Sequence, residues 1–209
     1  AAAEIAKGNL KPSELVEACV ARAAAVDRDV RAWVGFDPDK ARMAGRLADT
    51  KPATQAMHGI PFGVKDIIET IDFPTGYGTP VYHGHHGGRD AACVALLKEA
   101  GAIVLGKVVT TELAHFHPGK ARNPHATTHT PGGSSSGSAA AVAAGMVPVA
   151  LGTQTTGSVL RPVLAHLDTE DRDRFSRYCR DRYRKAYPAG ADGTTTLPFS
   201  RFFMIARAA

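Results

Sequence analysis

Cysteine is scarce in this sequence: Cys19, Cys93 and Cys179 are the only three among 209 residues. An odd number at wide spacing, in apolar or charged surroundings, gives neither a disulfide framework nor a zinc-ligand pattern, so these read as core or surface thiols. Long hydrophobic runs are lacking as well. None reaches the roughly 18 residues of a membrane span, and the opening AAAEIAKGNLKPSEL has no charged segment followed by an apolar one. The expectation is a cytoplasmic globular protein, and 44% hydrophobic with 22% charged residues fits it. The length allows one large domain or two small ones.

An excess of one charge sign is also missing over most of the chain. Residues 1–160 hold 15 Lys/Arg against 14 Asp/Glu, whereas residues 161–209 hold 10 against 6. The net charge of +5 therefore belongs almost wholly to the last segment. Acidic residues are interspersed among its arginines, which argues against nucleic acid as the partner.

What is present is an alternation of helical and strand patterns. PSELVEACVARAAAV has apolar residues at helical spacing, and Ser13 is the expected cap. HGIPFGVKDIIET reads as a short buried strand ending at Lys65 and Asp66, followed by a Gly-, Pro- and His-rich loop from Thr70 to Gly88. Asp90 is the expected cap of AACVALLKEA, which Gly101 ends, and AIVLGK is the next strand. TTELAHF reads as a short helix and HPGKARNPHATTHTPGG as an irregular passage. A small-residue helix is expected from Ser138, VPVAL as a strand, and GTQTTGSVLRP as a turn into a helix. This order favours an α/β domain with parallel strands joined by right-handed crossovers. Beyond Pro162 charges crowd between aromatics, with Phe175 and Tyr178 on one helix face.

The run HTPGGSSSGSAAAVAAG has the composition of a flexible linker. A linker separates self-sufficient units, however, and this one leads straight into an Ala-rich helix. A Walker loop needs a lysine after its last glycine, and none follows Gly137. Gly133 to Gly137 matches G-x-S-x-G around Ser135, but no strand precedes it, and the sole downstream histidine, His166, comes before every downstream carboxylate. A third arrangement meets no such objection. Ser158, in GTQTTGS, sits at a turn where the N–H groups of Thr155, Thr156, Gly157 and Ser158 can converge on an oxyanion. Its hydroxyl needs a base, and Lys65 at the end of an apolar run is placed for burial to lower its pKa. A hydroxyl from GGSSSGS can relay the proton between them. The plain alternative is that Ser134, Ser135 and Ser136 cap the following helix.

GIPFGVKD, DAACVALLKEAGAIVLGKVVTTELAHF and RNPHATTHTPGGSSSGSAAAVAAGMVPVALGTQTTGSVLRP, in that order, are similar to the amidase signature family over roughly residues 8–162. The resemblance implies a three-layer α/β fold with a mixed sheet covered by helices. It implies Ser158 as nucleophile, Ser134 as a bridging serine on a cis peptide bond and Lys65 as general base, with the oxyanion held by the N–H groups of residues 155–158. Such chemistry is acyl transfer to water from a small-molecule amide substrate, and it needs no cofactor and no metal. Substrate contacts are expected from Gly133 and from Arg161, whose guanidinium suits a carboxylate; the alternative for Arg161 is pairing with a structural acid. His83, His85 and His86 read as a solvated loop, and His115 and His117 read equally as channel lining or as packing.

The sequence departs from the family at Thr156, where most members have glycine, and near Pro162, where the resemblance stops. A partial amidase domain at 1–162 and an unrelated basic tail at 163–209, from a fusion, a frameshift or a fragment end, are expected. The functional expectation is an amide hydrolase. Its alternatives are the ammonia-supplying subunit of a glutamine-dependent aminoacyl-tRNA amidotransferase, an inactive truncated amidase, and a binding module working through the tail. No membrane partner is expected, and the reading leaves room for a homodimer.

Overall fold

The computed structural model describes residues 1–154, 158 and 167–186, apart from the side chains of 179, 180 and 183–186. Helix α1 (Ala2–Ala6) precedes the long helix α2 (Pro12–Val30). Its buried residues Val16, Cys19, Val20, Ala23 and Val30 recur at helical spacing on one face. Ser13 is not the cap. Pro12 occupies the first turn, where its fixed φ costs nothing, and the Glu14 carboxylate accepts from the Lys11 N–H at 2.9 Å.

Besides α1, a strand and a helix escape the sequence patterns. Strand β1 (Trp33–Phe36) is only four residues long. Helix α3 (Pro38–Asp49) buries only Ala41, Gly45 and Ala48, so its apolar stripe is made of small residues. Those small residues let α3 lie close to α2: a Cβ on Gly45 would stand 3.1 Å from Ser13 Cα and 3.2 Å from Val16. Asp37 caps α3 by accepting from the N–H groups of Asp39 and Lys40.

Strands β2 (Pro61–Lys65), β3 (Ile103–Val108) and β4 (Val149–Leu151), with β1, form one sheet in the order β1-β3-β2-β4. β2 runs parallel to both β3 and β4, while β1 is antiparallel to β3, so the sheet is mixed. Helix α4 (Ala92–Glu99) joins β2 to β3 and ends at Gly101, whose φ of +90° suits glycine. Asp90 does not cap α4. Its carboxylate accepts from Ile71 N–H and pairs with Lys98, and Ala91 stands at the cap position. TTELAHF is not an α-helix either. Only Glu112–Ala114 make a 3₁₀ turn, with Leu113 and Ala114 at positive φ.

Helix α5 (Ser136–Ala143) packs with α2 and α3 over one core around Trp33, Leu105, Val108 and Met146. A second core gathers Phe62, Val64, Ile68, Val94, Val149 and Leu151. Alternation along β2 thus assigns Phe62 and Val64 to the second core and the intervening Gly63, and then Lys65, to the opposite face. Helix α6 (Thr169–Ala186) carries Phe175 half-buried and Tyr178 exposed. Among the described residues no helix is long and apolar enough to cross a membrane.

Candidate active site

Lys65 is the last residue of β2 and is fully buried. Its Nζ lies 2.7 Å from Ser134 Oγ and 2.7 Å from Thr153 Oγ1. No carboxylate is among these contacts. Burial therefore acts on the ammonium with no opposite charge to offset it and lowers its pKa to about 7. An amine poised there is half neutral near physiological pH. In that form it keeps two N–H donors and gains a lone pair able to accept from a hydroxyl.

Ser134 comes to Lys65 on the far side of a cis Gly133–Ser134 peptide bond. Gly132 has φ +83°, and a Cβ on Gly133 would stand 2.8 Å from Thr111 Cγ2, so the approach to Ser134 tolerates no side chain there. Thr111 N–H donates to Ser134 O at 3.1 Å and fixes the turn from behind.

The three consecutive serines have separate tasks. Ser134 faces the lysine. Ser135 Oγ accepts from Thr153 N–H and donates to Thr153 O, both at 3.2 Å, while its own N–H donates to Ser158 O at 3.0 Å. Ser136 opens α5, and its Oγ donates to Val109 O. The capping alternative does not describe them: Ser135 stands at the N-cap of α5 and makes no side-chain capping bond.

Lys65 and Ser134 thus meet at the carboxyl end of β2, and Ser158, buried like the other two, is tied to the serine loop through its backbone carbonyl. The bond from Ser135 joins the Ser158 backbone to the residue after Ser134. Thr155, Thr156, Gly157 and Arg161, named from the sequence, lie outside the described residues. Thr153 is a contact that the sequence patterns do not signal. It follows β4, whose pairing with β2 sets Leu151 opposite Val64 and so brings the next turn to Lys65. The only trace of it in the sequence is a hydroxyl shortly after the strand VPVAL.

The histidines stand apart from this cluster. His83, His85 and His86 are exposed, with His85 Nε2 3.3 Å from Glu69 Oε1. His115 and His117 follow the 3₁₀ turn. Among the described residues no group of three His, Cys, Asp or Glu side chains could hold a metal.

Comparison with known proteins converges on one family. The family model described as Amidase matches residues 14–165. A glutamyl-tRNA(Gln) amidotransferase subunit of Chloroflexus aggregans is 39% identical over 168 residues, which is 76% of this chain and 34% of that protein. The corresponding subunit of Myxococcus xanthus is 41% identical over 174 residues, 77% of this chain and 35% of its own length. The chain thus spans about a third of the length of the curated relatives it matches. Among solved structures, native peptide amidase from Stenotrophomonas maltophilia superposes with a TM-score of 0.72 at 36% identity, over 78% of this chain and 37% of that one.

Proposed function

This chain belongs to the amidase family, and from that premise we propose that it carries the acyl-transfer centre of a cytoplasmic amide hydrolase, with Ser158 as nucleophile, Ser134 as proton relay and Lys65 as general base. The observation that carries the reading is the buried Lys65 amine, its pKa lowered to about 7, in direct contact with the Ser134 hydroxyl.

In the proposed first step the Ser158 hydroxyl passes its proton to Ser134 Oγ as Ser134 passes its own to the neutral Lys65 amine. Ser158 Oγ forms a bond to the amide carbonyl carbon, and the N–H groups of residues 155–158 hold the oxyanion. Collapse breaks the C–N bond. The proton returns through Ser134 to the leaving nitrogen, which departs as ammonia or an amine. Water, deprotonated along the same route, then attacks the acyl carbon, the C–O bond to Ser158 breaks, the proton returns through Ser134 to Ser158 Oγ, and the carboxylic acid is freed. Gly133 and Arg161 complete the proposal as substrate contacts, Arg161 as a clamp for a substrate carboxylate.

A small carboxamide is the proposed substrate, and peptide amidase among the structural relatives supports it. The names of the curated relatives favour a second reading, in which the same centre releases ammonia within an aminoacyl-tRNA amidotransferase. A serine-directed covalent probe tests the chemistry common to both. Labelling of the folded chain that disappears in Ser158→Ala is the expected result. Folded protein that takes up no label would show that the chain is a remnant without a working nucleophile.

A further inference from the structure

A second buried lysine stands behind the first. Lys107 on β3 has a side chain 1% exposed, and its Nζ lies 3.4 Å from Asp66 Oδ1, a carboxylate 6% exposed. It also donates to Ile68 O at 2.8 Å and to Thr75 Oγ1 at 2.7 Å. A slip in the β2–β3 pairing puts it there: Phe62 faces Val104 but Gly63 faces Gly106, so Leu105 is an extra residue. The bulge turns Lys107 to the face opposite the Leu105 core.

All of these contacts fall on the segment that immediately follows Lys65. Asp66 continues the ladder beyond the strand through its N–H to Val108 O at 2.9 Å, and its carboxylate accepts from Gly76 N–H at 3.1 Å. The same turn reaches the serine loop from the other side. Gly78, with φ +69°, is pressed so close to Thr111 O that a Cβ would stand 3.0 Å away, and Leu113 N–H donates to Tyr77 O. Thr111 in turn holds Ser134 O. One continuous chain of contacts therefore links Lys107 and Asp66 to both partners of the 2.7 Å contact between Lys65 and Ser134.

We propose that the buried Lys107–Asp66 pair is a positioning clamp, which holds the end of β2 and the Thr75–Gly78 turn so that the Lys65 amine stays in contact with Ser134 and out of water. The inference rests on the reading of Lys65 as base. The charged groups of this network are Asp66 on the segment after β2, Lys107 on β3, and Glu69, which faces Lys107 and the exposed His85. Burial pushes Asp66 up and Lys107 down, each offset in part by the other's opposite charge.

The test is an NMR titration of the lysine Cε–Nζ groups in the full chain, with the Lys65 signal assigned by its loss in Lys65→Met. Wild-type Lys65 should titrate near 7. The double variant Lys107→Met with Asp66→Asn removes both charges, so neither is left buried alone. Its Lys65 should titrate at least about one pH unit higher as water reaches the amine, roughly a tenfold change in the ratio of amine to ammonium. Thr75→Val, which removes one anchor of Lys107 and leaves every charge in place, should move it the same way by less. A structural role alone would lower the melting temperature and leave this titration in place. A folded double variant with unmoved Lys65 overturns the clamp, and if the double variant does not fold, an unmoved titration in Thr75→Val overturns it. Wild-type Lys65 titrating near 10.5 would instead overturn the base assignment, and the clamp with it.

Discussion

Lys65 and Ser134, 69 residues apart in the chain, meet at 2.7 Å in a buried setting without a carboxylate at the amine. A proton relay through this contact works only when the amine is neutral. The rate of Ser158 labelling by a covalent probe should therefore rise with pH through about 7 and level off above it. Ser134→Ala should lower the plateau by about 10² to 10⁴, the usual worth of a positioned acid–base group, while Ser158 is still present. A pH-independent labelling rate would contradict the role given to Lys65.

Thr153 is the second partner of the same amine, at 2.7 Å. A hydroxyl stabilises an ammonium more than a neutral amine, and a hydrogen bond to a charged group is worth about 1.5 kcal/mol or more. Thr153→Val keeps the shape and removes the oxygen. Lys65 should then titrate about one pH unit lower, the direction opposite to that expected from loosening the Lys107–Asp66 clamp. The titration of Lys65 in this variant checks the sign.

The difference between these residues in sequence shows what could be read in advance. Strands β2, β3 and β4 and helices α2 and α4 announce themselves by apolar runs or periodicity, because each buries aliphatic side chains against a neighbour, and α5 by its run of small residues. Helix α3 does not, since its buried face is Ala41, Gly45 and Ala48. The expected caps Ser13 and Asp90 are displaced by Pro12 at the first turn of α2 and by a long-range bond from Ile71 N–H. Lys65 and Ser134 stand in motifs that resemble a known family. Thr153, Lys107 and Asp66 depend on strand order and on a β-bulge, and both are set by pairing between segments far apart in the chain.

The lowered pKa of Lys65 also makes stability depend on pH. Its folded value of about 7 lies below the unfolded 10.5, so the folded state binds fewer protons between those values. Stability contributed by this group is therefore lowest below about pH 7 and rises with pH up to about 10.5. At 1.36 kcal/mol per pH unit the full gap of 3.5 corresponds to about 5 kcal/mol as an upper limit. Lys107 is shifted in the same direction, so the informative quantity is a difference. Denaturant melts at pH 6 and pH 9 should show Lys65→Met gaining more over wild type at the acid pH. An equal difference at both would mean that Lys65 is not titrating in this range.

Gly137 tests whether the serine loop depends on the close seating of α5. Its N–H donates to Val109 O at 2.8 Å, and a Cβ there would overlap Val109 N and stand 2.7 Å from Ala32 O, both backbone atoms. Backbone cannot rotate away as a long side chain can, so the helix itself has to move. Overpacking of this kind costs about 1–3 kcal/mol, and the rigid neighbours place Gly137→Ala at the upper end. The intrinsic helix preference for alanine over glycine, about 1 kcal/mol, runs the other way and is too small to compensate. Thermal melts should show a loss of several degrees. Because Ser134 and Ser135 immediately precede α5, the displacement should also lengthen the Lys65–Ser134 contact and slow Ser158 labelling in the protein that remains folded. A variant as stable and as reactive as wild type would show that the loop is held in place without α5.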